Sequence, residues 1–378
     1  MFHCAAAWLL CIAGVVSPAM GQSKEAPQPP APTHPAVEVD PFALPPEMEA
    51  FFSRVSTPGT LPNRLQAILT AIFSPPEQGG LGMQYDNGRT RTVTEVWRDR
   101  KANCLSLTAF FVGAARVGGM RATYAEALNT MRWTRVKGMI RKERHVVALG
   151  EHRMGGEDLV ADFLPALRRR VGFYMVRPLT PNTFRAMFYA NRAVEFLEDH
   201  ELEGAMAQVD HALKIDPEST AAWNIRGVIL HRQQSFVDAE AAFRKAIALD
   251  PSDTAAYGNL EVLLKNLGRA PEAIRVRERS LQVRKRDPYF QFFLAEEALA
   301  EKNVDEAIRR IKLAIRIHPR ESEFHLLKAR IYLEKGDIGE VKEALEEAQK
   351  WASPEEKLRY ENKMEALKRQ EAEKGRPR

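Results

Sequence analysis

The second half of this 378-residue chain repeats itself every 34 residues, and such a chain folds as a stack of like units rather than around one closed core. Ala205, Ala239, Ala273, Ala307 and Val341 form one column at that spacing, and Ala212, Ala246, Ala314 and Ala348 fall in a second. Trp223 and Tyr257 also stand 34 apart. Asp216-Pro217 and Asp250-Pro251 share the period, with Asp287-Pro288 after 37 residues, His318-Pro319 after 31 and Pro354 after 35. Small residues in fixed columns let paired antiparallel helices approach closely. A proline after the second helix stops it, because it lacks the N–H the next turn needs.

The unit Ala222-Trp223-x-x-x-Gly227…Ala239-x-x-x-Phe243-x-x-Ala246…Pro251 resembles the tetratricopeptide repeat. The resemblance implies about five repeats over 186–354, wound as a right-handed all-α solenoid, with a charged capping helix and tail over 355–378. It also implies a concave surface for a protein or peptide partner, without naming that partner.

The N-terminus is read as an export signal. Cys4 to Val16 is a run of 13 apolar residues, broken by Ser17-Pro18 and followed by the small residues Ala19 and Gly21. That pattern predicts a signal peptide over 1–21, cleaved before Gln22. The run falls short of the roughly 20 residues a membrane span needs. The segment before it has no Lys or Arg, so an uncleaved N-terminal anchor is the alternative. Residues 22–46 are rich in Pro, Ala and charge, which predicts a partly polyproline tether. A periplasmic or secreted protein is expected from this.

Cleavage would leave Cys104 as the one cysteine, unable to form an intramolecular disulfide. It sits in the segment 47–185, which carries 21 Lys or Arg against 12 Asp or Glu, while 186–378 carries 33 against 35. Met48 to Phe73 reads as two amphipathic helices divided by Pro58-Gly59 and Pro62. Gly79-Gly80-Leu81-Gly82 reads as a loop, since no Lys-Ser/Thr follows to make it a phosphate cradle. Leu107, Phe110, Phe111, Ala114 and Val117 have helical spacing and Asn103 is a good N-cap, which places Cys104 in a first helical turn. There the helix dipole favours a thiolate, and the turn's N–H groups are placed to hold an oxyanion.

His145 to Leu149 and Leu159 to Phe163 are β-rich and separated by Gly155-Gly156, predicting a hairpin. A thiol nucleophile needs an imidazole base and an orienting carboxylate. Of the two histidines in 47–185, His152 lies in a polar turn and His145 opens a strand, with Asp162 on the neighbouring strand.

The order Cys104, His145, Asp162 is similar to that of the transglutaminase-like branch of the papain-type thiol enzymes. The similarity runs from Tyr85 to Pro165 and rests on Thr92 to Trp97, Ala102-Asn103-Cys104-Leu105-Ser106-Leu107, Arg144-His145-Val146 and Val160-Ala161-Asp162-Phe163. The family usually has Gly where this chain has Ala102, and often His-Ala-Trp where it has His145-Val146-Val147. The resemblance implies an α+β papain/transglutaminase-like core followed by an all-α repeat solenoid. Cys104 is then nucleophile, His145 base and Asp162 orienter of an exported acyl-transfer enzyme, hydrolytic or transamidating. The alternative is a non-catalytic interaction scaffold or cell-envelope assembly factor with a degenerate core, in which Cys104 is a packing residue.

One cysteine and two separated histidines make no zinc site, and no cofactor motif is present. The basic groups Arg132/Arg135/Lys137, Arg141/Lys142/Arg144 and Arg168–Arg170 are ordinary solvated surface or a draw for an acidic envelope partner. Nucleic acid is not expected of an exported protein whose basic groups form no known nucleic-acid-binding motif.

Overall fold

The computed structural model describes residues 40–55, 59–86, 88–136, 139–150, 159–161, 171–172 and 176–352. The expected signal segment, most of the tether, Asp162 and the C-terminal capping helix lie outside the described residues. By its contacts the chain divides into two compact units. One runs through Glu278 without 127–144 and 172–175, and the second comprises those segments and the chain from Arg279 onward.

The chain is already packed by Asp40, inside the segment read as a tether. Phe42 packs its ring 5.3 Å from Phe184 and 5.8 Å from Phe188, and Leu44 covers the helix at Gly113. Two apolar side chains in a proline-rich run suffice to fasten its end to the core.

Helices α1 (Pro46–Val55) and α2 (Leu61–Phe73) form the expected pair, but Pro62, read as part of the break between them, lies in the first turn of α2, where its missing N–H costs nothing. The glycine-rich stretch folds back on α2 through Leu81 N–H to Ala71 O (2.8 Å) and Met83 N–H to Ile72 O (3.0 Å). Strand β1 (Gln84–Tyr85) pairs in parallel with β2 (Lys101–Ala102) on either side of α3 (Val93–Asp99). Helix α4 (Cys104–Val117) is the axis of this region: Cys104 through Ala115 are all buried, and α1, α2 and α3 pack on it.

Strands β3 (Ala122–Val136), β4 (Met139–Gly150), β5 (Leu159–Ala161), β6 (Val171–Gly172) and β7 (Val176–Leu179) form a sheet of order β6-β5-β4-β3-β7. The β4–β5 hairpin is antiparallel with Ala148 opposite Ala161. Strand β3 was not legible in the sequence. Its run Ala-Glu-Ala-Leu-Asn-Thr-Met favours helix by composition, and pairing in the sheet overrides that preference.

Ten helices then run in succession: α5 (Pro181–Glu198), α6 (Leu202–Ile215), α7 (Thr220–Arg232), α8 (Phe236–Leu249), α9 (Thr254–Asn266), α10 (Ala270–Lys285), α11 (Pro288–Ala300), α12 (Val304–Ile317), α13 (Ser322–Lys335) and α14 (Ile338–Trp351). Among them α5–α6, α7–α8, α11–α12 and α13–α14 pack as pairs, and both small-residue columns are buried. Position 280, where the second column lacks alanine, is filled by buried Ser280. The boundary drawn at 185 falls inside α5.

The proline frame needs one correction. Asp216, Asp250 and His318 cap the ends of α6, α8 and α12, but Asp287 is the N-cap of α11 and Pro288 its first residue. Asp287 is therefore in register with the N-caps Ser219 and Asp253 at 34-residue spacing, and its proline starts a helix instead of stopping one.

In three dimensions the Trp223 and Tyr257 positions extend into a column of four. Trp223 Nε1 donates to Pro217 O (2.9 Å), Tyr257 Oη to Pro251 O (3.3 Å), Gln291 Nε2 to Lys285 O (3.2 Å) and His325 Nε2 to Pro319 O (2.8 Å). Four different side chains, each 34 residues from the last, satisfy the carbonyl six residues back, which lies just past the preceding helix or, for Lys285, at its last residue.

Candidate functional site

Cys104 is the first residue of α4, as the N-cap reading of Asn103 requires. Asn103 Oδ1 accepts from the Ser106 N–H at 2.9 Å. The thiol is not part of a disulfide and is buried, with 2% of its residue surface exposed. His145 lies on β4 and is 5% exposed, within a strand buried from His145 to Leu149.

Thr108 joins the two elements. One turn along α4, its hydroxyl donates to the Cys104 carbonyl at 2.8 Å and lies 3.4 Å from the Val146 carbonyl on β4. The structure thus brings the Cys104 turn against the strand that carries His145. The described β4–β5 pairing ends at Ala161, one residue before Asp162, which lies outside the described residues, as does His152.

The loop before α3 and the N-terminus of α4 form a dense polar cluster that sequence reasoning missed. Asn103 Nδ2 donates to Thr90 Oγ1 (3.0 Å), and the Arg91 N–H donates to Ser106 Oγ (2.8 Å). Thr92 and Glu95 make a capping box, the reciprocal arrangement that satisfies two free N–H groups at a helix start. Arg91 reaches Asp86 at 2.8 Å and Asp99 at 3.2 Å. The Gly88 N–H and Arg91 hold the Asp86 carboxyl below its ordinary value, and Arg98 and Arg91 do the same for Asp99.

The same loop is bound to α5. The Thr90 N–H donates to Glu195 Oε1 (2.6 Å), and Arg192 Nη1 donates to the Thr90 carbonyl (3.1 Å). Burial pushes the Glu195 carboxyl above its ordinary value, partly offset by the two Thr90 hydrogen bonds and by Arg192. The sequence held one signal for this contact: Arg192 and Glu195 are charged residues within the aromatic run 184–196 of α5, a helix otherwise heavily buried.

In the helical array α5, α7 and α9 stand side by side, with α6 and α8 packed against them. Two polar rungs link α7 to α9. Asn259 Nδ2 donates to Asn224 Oδ1 at 2.9 Å, and seven residues on, the Asn266 amide meets the His231 ring at 3.5 Å. The first rung is buried, whereas Asn266 is exposed and His231 half-buried. Burial, then Arg232, lowers the His231 pKa, so its ring is neutral at neutral pH. Among the described residues no three His, Cys, Asp or Glu side chains gather where they would hold a metal ion.

Residues 191–254 and 298–359 match family models described as tetratricopeptide repeat. These two segments are tetratricopeptide repeats. Solved structures to which the chain is similar include YrrB, titled a TPR protein with an unusual peptide-binding site (22% identity over 44% of this chain and 86% of that one, TM-score 0.25). PilF of Pseudomonas aeruginosa is 20% identical over 44% of this chain and 75% of its own (TM-score 0.25). MamA of Desulfovibrio magneticus RS-1 is 17% identical over 44% and 94% (TM-score 0.25). The first match covers α5 from Asn191 through α8, and the second runs from the end of α11 through α14 to beyond the described residues; no helix among the described residues is long and apolar enough to cross a membrane.

Proposed function

We propose that this protein is a protein-interaction scaffold whose repeat array binds an extended segment of a partner protein. The observation that carries this is the pair of tetratricopeptide-repeat matches on a row of paired helices. The face we assign to the partner is the side of α7 and α9 bearing His231 and Asn266, where neutral polar groups stand at fixed spacing along adjacent helices. Such groups can exchange hydrogen bonds with a peptide backbone without the cost of desolvating a charge. The excess of positive charge in 47–185 favours an acidic partner, and the apolar run Cys4–Val16 favours a place in the bacterial envelope or outside the cell. The test is binding of the full chain to a peptide array, followed by anisotropy titration of the peptides retained. His231→Glu and Asn266→Glu should weaken binding by about tenfold or more. Unchanged affinity in both would remove this face from the binding site.

The Thr108 contacts support a second reading, in which the N-terminal region is a transglutaminase-like thiol enzyme. Cys104 would attack an acyl carbon, His145 would take the thiol proton, and Asp162 would orient the ring if the β4–β5 pairing continues one residue past Ala161. The burial of Cys104 weighs the other way, since substrate must reach the sulfur. The alkylation rate of Cys104 against pH tests this. A midpoint well below about 8.5, the value for a free thiol, that rises in His145→Ala supports it. An ordinary thiol titration in both proteins would leave the scaffold alone.

A further inference from the structure

Thr90 is 2% exposed, and each of its polar groups is engaged. Its N–H and carbonyl are held by Glu195 and Arg192 of the first repeat helix, and its hydroxyl accepts from Asn103, the cap of the helix that Cys104 begins. Residues more than 100 apart in sequence therefore form one unbroken path, from Glu195 and Arg192 through Thr90 and Asn103 to the Ser106 N–H in the thiol's own turn. Thr90, Asn103 and Arg192 are buried and Glu195 is half-buried, so a hydrogen bond lost along the path is poorly replaced by solvent. On its other side α5 packs on α6 and α7, as a member of the repeat array.

We propose that Glu195 and Arg192 are positioning residues for the thiol site: the first repeat helix latches the loop at Thr90 onto the Cys104 turn and holds that turn closed. The site is then incomplete without the first repeat. This latch deepens the thiol reading above but is read out separately from it. A buried thiol reacts with a small reagent only when its surroundings open, so the reaction rate reports the latch. The pH at which the rate is half-maximal reports activation of the sulfur.

The experiment uses the full chain and iodoacetamide, with Cys104→Ser as the blank. Above about pH 9.5, a unit past the pKa of a free thiol, the thiolate is formed in every variant and the plateau rate measures opening alone. Glu195→Ala and Thr90→Val should raise that plateau by about tenfold or more, the scale expected from losing one buried hydrogen bond. Thr90→Ser, which keeps the hydroxyl, should stay at the wild-type rate, and Glu195→Gln, which still accepts from the Thr90 N–H and carries no charge to bury, should not exceed it. Phe243→Leu in the second helix pair is the control for general loosening and should leave the plateau unchanged despite a lower Tm. If Glu195→Ala fails to fold, the Thr90 pair decides. Equal plateaus in Thr90→Val and wild type overturn the latch, as does a rise in Phe243→Leu that matches it. If the plateaus behave as expected but His145→Ala leaves the half-maximal pH unmoved, the latch stands and the thiol-enzyme reading falls.

Discussion

The ring of Tyr124 on β3 stacks on the ring of Phe184 on α5, with centroids 3.9 Å apart and planes within 4°. Phe42 completes the group from before α1. Phe184, Ala186, Phe188, Tyr189 and Ala190 of α5 belong to the same apolar cluster as Phe52, Phe110 and Phe111. The first repeat helix is thus a wall of the N-terminal core.

A chain ending at residue 185 should therefore fail to fold. It loses most of α5, including Phe188 and Tyr189, and leaves their contact surface in water. Circular dichroism and limited proteolysis should show an unfolded or aggregating product. A stable, cooperative fragment would show that α5 only lies against the core. In the full chain, Phe184→Ala should cost about 3–5 kcal/mol by urea titration, the range for truncating a buried phenylalanine.

Gly227 tests the close helix approach within a repeat. A Cβ there would sit 2.5 Å from the Phe243 ring, which is 2% exposed and hemmed in. Glycine to alanine inside a helix normally gains about 1 kcal/mol. Overpacking costs about 1–3 kcal/mol, so Gly227→Ala should be destabilising on balance. Trimming the ring, in Gly227→Ala/Phe243→Leu, should recover part of the loss. A more stable single variant would show that the ring moves aside freely.

Glu195 gives a pH dependence of unusual sign. Burial holds its folded-state pKa above the ordinary value, so the folded state keeps a proton that the unfolded state has released. The corresponding stability is fully present below the unfolded value and is lost as pH rises through the raised one. Glu195→Gln cannot release that proton. Its stability relative to wild type should be greater at pH 8 than at pH 4 in paired urea titrations. The opposite trend would mean that Arg192 and the Thr90 hydrogen bonds outweigh burial.

Asn103 does two separable jobs. Asn103→Ala should lose the cap, worth about 0.5–2 kcal/mol, together with the donor to Thr90. Asn103→Asp keeps an oxygen for the Ser106 N–H but has no amide for Thr90, so its stability should fall between those of wild type and the alanine variant. Equal losses in the two would assign the whole effect to the Thr90 bond.

What the sequence determined by itself is what depends on neighbours along the chain. The 34-residue period named two columns of mostly alanine that are buried throughout, because a small side chain is needed wherever the same close packing recurs. Asn103 before an apolar helical run located the start of α4, since capping is settled within one turn. The alternation after His145 announced the hairpin that pairs Ala148 with Ala161. Tertiary structure decided what depends on residues distant in sequence. It turned Ala122–Val136 into strand against its composition, and set Pro288 at a helix start. It also gave Trp223, Tyr257, Gln291 and His325 one shared task that their differing chemistries conceal. The link from Glu195 to Thr90 crosses 105 residues. No local pattern encodes such a contact: a charged residue on a helix looks the same whether it faces water or a buried loop, and only the packing of α5 on the core removes the water and leaves Thr90 as its partner.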